Sequence, residues 1–186
     1  MIRLFLFLLF LIPVQWVIAQ AGNNGNRSPG IDSLSTLLTK ELHSKYDFLL
    51  AYTEESYWWS DHPVYKVLAR KNNTWTAIQL EGRRKKKGQL KVNSTNFQFP
   101  ADSANQLLKR LKALEFWSMD TNELESKTKI EDGVNLRFEI ITRDSVQVLE
   151  TLEPASVNRV NVNQTIQNFL SGRELFLQMW NYKSRL

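Results

Sequence analysis

The chain has no cysteine among its 186 residues and only two histidines, His43 and His62. The first absence excludes disulfides, a lipid anchor on cysteine, cysteine-ligated zinc and a thiol nucleophile. The second means that any Ser, His and Asp triad must recruit one of those two imidazoles, and no G-x-S-x-G elbow accompanies them. His43 reads as a surface residue near the edge of a helix. Dinucleotide and P-loop glycine patterns are missing too, so no cofactor is implied. The acids Asp120, Glu123, Glu125, Glu131 and Asp132 lack the alternating spacing and central glycine of a calcium loop, so no metal is implied either. Asp132-Gly133 reads as a turn.

Long apolar runs are scarce as well, and the one that exists is at the start. Arg3 precedes an unbroken apolar run from Leu4 to Ile12, followed by Pro13, Gln15 and small residues up to Ala19. A membrane span needs about 20 apolar residues; this segment has the length and order of a secretory signal. Residues 1–19 are expected to be cleaved after Ala19, leaving no transmembrane span and a periplasmic or secreted protein. A flexible lead-in, 20–30, rich in Gly and Asn, and a single domain, 31–186, follow. About 165 mature residues bury roughly 70% of their unfolded surface, enough for a core without disulfides. Asn-x-Ser/Thr sequons stand at Asn26, Asn72, Asn93 and Asn163, but a cysteine-free exported chain reads as bacterial.

Periodicity then supplies the elements. Leu34, Leu37, Leu38 and Leu42 recur at helical spacing after Asp32 or Ser33 and predict a helix to Lys45. From Tyr46 to Pro63 no pattern holds. VYKVLARKNNTWTAIQL predicts a hairpin turning at Asn72-Asn73, and GQLKVNSTNFQF a third strand. Pro100 ends it. A helix from Asp102 or Ser103 carries Ala104, Leu107, Leu108, Leu111 and Leu114 on one side, with Phe116 and Trp117 anchoring its exit. Val134, Leu136, Phe138 and Ile140 alternate with Asn135, Arg137 and Glu139, predicting a half-buried hairpin that turns at Arg143-Asp144. A last helix is expected from about Asn163 to Trp180, with a mostly apolar stripe from Ile166 through Phe169, Leu170, Arg173, Phe176 and Leu177 to Trp180. The expected fold is α+β: an antiparallel sheet of about five strands covered by helices, in the order α-β-β-β-α-β-β-α.

Two windows stand out as candidate binding residues. In ESYWWSDHP, Tyr57, Trp58, Trp59, Asp61 and His62 adjoin Glu54 and Glu55. Rings beside carboxylates suit a sugar, whose face stacks on an aromatic while paired acids supply general acid and base. The plainer expectation is tryptophans packed over the sheet, with the acids solvating a turn. In EGRRKKKG, Arg83, Arg84, Lys85, Lys86 and Lys87 lie compactly between two glycines and account for most of a formal charge of +5, about +4 without the leader. They read as an exposed loop, with contact to an anionic envelope surface as the functional alternative. Nucleic acid ranks last, since binders of it spread cations along a face or groove.

From Leu107 to Trp180 the chain, with FWSM closing a leucine helix, a DG turn, a VNLRFEI hairpin and a final FLSGRELFLQMW helix, resembles small uncharacterised bacterial secreted or periplasmic domains. The resemblance implies a compact exported domain and adds no mechanism. The expected function is a non-catalytic module binding a protein partner or envelope component. A carbohydrate-binding or carbohydrate-acting protein built on the 54–62 window is the alternative.

Overall fold

A computed structural model describes residues 35, 38–56, 62–84, 90–124, 134–153 and 163–183. Six strands form one antiparallel sheet: β1 (Phe48–Ser56), β2 (Val64–Lys71), β3 (Thr74–Arg84), β4 (Leu90–Phe99), β5 (Val134–Thr142) and β6 (Val146–Glu153). Their spatial order is β4-β3-β2-β1-β5-β6. The α+β class stands, while the count of about five strands and the element order are corrected. The strand the pattern did not reveal is β1, which lies at the centre.

That omission has a physical cause. Leu49, Leu50, Ala51 and Tyr52 are successive residues of β1, and none is more than 1% exposed. A strand buried on both faces has no polar side to alternate with, so its sequence reads as an apolar run of no definite type.

The predicted hairpins lie where alternation placed them. Lys71 pairs with Thr74 across the Asn72-Asn73 turn, where Asn72 takes φ of 53°, a left-handed conformation that asparagine tolerates. Ile141 pairs with Val146 across the Arg143-Asp144 turn.

One face of the sheet carries the helices α1 (Ala101–Ala113), α2 (Thr121–Leu124) and α3 (Gln164–Lys183). α1 begins at Ala101 after Pro100, one or two residues before the expected start, and Asp102 falls in its first turn rather than capping it. There its charge favours the helix N-terminus. The helix ends where Glu115 turns left-handed, with φ of 56°, and Phe116–Ser118 form a 3-10 turn. This turn drives Phe116 into the core: its ring meets Phe138 edge-on at 5.0 Å and stacks with Phe169 at 6.1 Å. Trp117 lies edge-on to Phe48 at 6.1 Å, so both residues anchor the exit as expected.

The last helix starts with a cap. Asn163 Oδ1 accepts the Ile166 N–H at 2.8 Å, satisfying one of the donors a helix start leaves without an intrahelical partner. Phe169, Phe176 and Trp180 of its stripe are buried against the sheet.

The opposite face is also buried. Leu49, Ala51, Tyr65, Val67, Ile78 and Ile141 form a second apolar cluster beneath Leu38. Leu38–Leu42 winds as a wide π-type turn where a helix to Lys45 is expected. β5 is therefore covered on two sides from Leu136 to Ile141, which alters the meaning of its polar residues, while β6 is half-buried as expected.

Candidate interaction surface

The polar face of β5 faces inward. Glu139 is fully buried and Arg137 is 7% exposed, although alternation had turned both away from the core. One carboxylate oxygen of Glu139 accepts from the Tyr65 hydroxyl at 2.8 Å and from Arg137 Nε at 2.9 Å. The other accepts from the Ser35 hydroxyl at 3.0 Å. Arg137 also reaches Glu150 at 3.3 Å, and Glu150 accepts from Asn135 at 2.6 Å. Burial, then the neighbouring Glu139 charge, pushes the Tyr65 phenol far above its usual range. Burial alone would lower Arg137, but Glu139, Tyr65 and Glu150 together, with the Glu139 hydrogen bond, outweigh it and the guanidinium is held more strongly protonated. A carboxylate with three donors and a phenol that does not ionise near neutrality are poorly suited to proton transfer. They suit the interior of a two-sided sheet, where a buried charge must be paired and hydrogen-bonded.

On the helical face a second network ties α3 to β1. The Tyr52 hydroxyl donates to Glu54 at 2.5 Å and accepts from Arg173 Nε at 2.7 Å. Arg173 Nη2 donates to the same Glu54 oxygen at 2.8 Å. Burial pushes the Glu54 carboxyl up, but the bonds from Tyr52 and Arg173, with the nearby charges of Arg173 and Lys66, hold it below the usual 4.5. A glycosidase general acid needs the opposite shift. Glu54 and Glu55 are consecutive strand residues and point to opposite faces, so they cannot act as a pair on one sugar.

The sign of the Glu54 shift gives a pH prediction. Its folded value lies below its unfolded one, so the stabilisation is complete above 4.5 and lost as pH falls through the folded value. Glu54→Gln is expected to flatten the acid limb of a Tm-against-pH curve below pH 4.5. A limb as steep as that of the parent would show that the pairing contributes nothing.

At the turn end of the sheet, Asp47 joins three connections. It accepts from Arg143 Nε at 3.1 Å and Nη2 at 2.5 Å, and from the Asn72 N–H at 2.8 Å. The Arg143 hydrogen bond is the main reason its carboxyl is held low. His43 is half-buried beside it, a correction to the surface expectation. Its Nε2 lies 2.7 Å from the Thr142 carbonyl and, facing an acceptor, must carry the proton. These groups wall a shallow groove of about 380 Å³.

Of the residues the sequence singled out, Tyr57, Trp58, Trp59 and Asp61 lie outside the described residues, as do Lys85, Lys86 and Lys87 and the leader 1–19. His62 is exposed, next to the start of β2. Arg83 and Arg84 are on β3 rather than in a loop. β2 begins at Val64, whose partner on β3 is Glu81. Beyond that pair β3 and β4 continue alone, matching Gly82 with Val92, Arg83 with Lys91 and Arg84 with Leu90. The Gly82 N–H donates to the Pro63 carbonyl at 2.8 Å where the overhang begins. β1 runs on beside β5 to Ser56, level with Arg83, so β3 and β4 overhang β2 alone and end close to the rest of the sheet. Directly paired residues share a face, so the exposed Arg83 and Lys91 stand side by side.

Among the described residues no helix is long and apolar enough to cross a membrane, and no group of three His, Asp or Glu side chains is placed to hold a metal ion. No protein-family model matches the chain, and no curated protein does. The class of protein that the geometry defines is an α+β domain on a six-stranded antiparallel sheet.

Proposed function

We propose that the chain is an exported, non-catalytic binding domain that contacts an anionic partner or envelope component with the cationic end of the β3–β4 hairpin. The observation that carries this is the end of the hairpin, in which Arg83 and Lys91 are exposed as a cross-strand pair past the end of β2. Two like charges directly opposite each other repel and do not stabilise a hairpin. A bound anion relieves that repulsion. Among the described residues, two carboxylates of the sheet are engaged elsewhere: Glu139 by three donors, and Glu54 by Tyr52 and Arg173. This favours binding over the carbohydrate-acting alternative.

The test is sedimentation with vesicles of phosphatidylglycerol and phosphatidylcholine, against phosphatidylcholine alone. Each cation near an anionic surface is worth about 1 kcal/mol, so Arg83→Glu with Lys91→Glu should weaken binding at least roughly tenfold. Raising salt from about 0.05 M to about 0.5 M should weaken it for the parent, because screening shortens the reach of solvated charges. Binding that ignores both changes, or no binding to the anionic vesicles, would sink the reading.

A further inference from the structure

The outer side of β4 has a second property that charge alone does not explain. β4 ends the strand order, so among the described residues no strand lies beside its outward N–H and C=O groups. It keeps unbroken register with β3 over every residue from Leu90 to Phe99, and it contains no proline. Asn93, Ser94, Thr95 and Asn96 are all exposed. Four consecutive exposed residues mean that both faces are open, and that neither α3 nor the Leu38 cluster covers the middle of the strand. Edge strands are ordinarily guarded by shortness, bulges, prolines or several charges, and β4 has one charge, Lys91.

We propose that β4 is an acceptor edge, to which an extended acidic segment of a partner protein adds as a seventh strand. Main-chain bonds along Lys91 to Gln98 supply the pairing, as in other strand additions. Lys91, beside Arg83, selects an acidic residue at the end of the incoming strand near the overhang. A second copy of this chain fits less well, since its own β4 has no acidic side chain to offer Lys91. The proposal takes the anionic character of the partner from the reading above, and adds backbone pairing as the mode of contact.

The probe is a fluorescein-labelled, end-capped peptide of four Thr-Glu repeats, compared with four Thr-Lys repeats. The acidic peptide should bind at least roughly tenfold more tightly, and hydrogen exchange should slow at alternate β4 amides, since successive residues of a strand point to opposite edges. For the same reason, one of Ser94 and Thr95 aims its N–H at β3 and the other outward. Of Ser94→Pro and Thr95→Pro, the variant that stays folded identifies the outward position. It should lose peptide binding at least tenfold while retaining vesicle binding.

Equal binding of both peptides, absence of alternate-residue protection, or peptide binding unchanged in the folded proline variant would each overturn strand addition. So would a parent dimer that the same proline dissolves and that takes up no peptide. Vesicle binding reports separately on the cationic end, so either reading can fail alone.

Discussion

Arg137→Ala is expected to cost about 3–5 kcal/mol, because it strands Glu139 as an unpaired charge in a site with no exposure. Urea denaturation at neutral pH measures this directly. The same network predicts a contrast. Arg137→Met with Glu139→Leu and Tyr65→Phe removes the two buried charges and the phenol hydroxyl together, leaving the partly exposed Glu150 with Asn135 and solvent. Replacing a buried ion pair by apolar groups of similar size is often neutral or stabilising. That triple variant should fall within about 1 kcal/mol of the parent or exceed it. A single substitution costing under about 1 kcal/mol would mean that water reaches the network, and that the second face of the sheet is not closed.

Gly172→Val carries the second large effect, about 3 kcal/mol, at the upper end for overpacking. A Cβ at Gly172 would lie 2.6 Å and 2.8 Å from two ring carbons of Phe116 and 3.1 Å from a methyl of Leu111. Removing a helix-interior glycine should gain up to about 1 kcal/mol, but the clash is larger because Phe116 has nowhere to go. Phe138, Phe169 and Trp117 surround its ring at 5.0, 6.1 and 5.8 Å. Adding Phe116→Leu should recover part of the loss, with a coupling of about 1 kcal/mol or more in a double-mutant cycle. Strict additivity would show that α3 does not pack on the Phe116 turn as described.

The reach of sequence reasoning is uneven for reasons these residues make plain. The β2–β3 and β5–β6 hairpins were legible because each has a turn signal and strands with some alternation. α1 and α3 were legible because their apolar residues recur at helical spacing. The overhang was not. That Arg83 belongs to a strand facing Lys91 depends on β2 stopping at Val64 while β3 and β4 continue. Tyr52, Glu54 and Arg173 meet across more than a hundred residues of chain, and no local pattern marks such a meeting.

The amino-acid order alone determined which residues share a face, where the chain turns, and which chemistries a cysteine-free, histidine-poor protein lacks, since all of these depend on identity or short-range spacing. Only the tertiary structure decided that β1 is one of the two central strands, that Arg137 and Glu139 face a covered layer rather than water, and that β4 is an edge of the described sheet. Each of these depends on what packs alongside a strand, and the packing partner comes from a distant part of the chain.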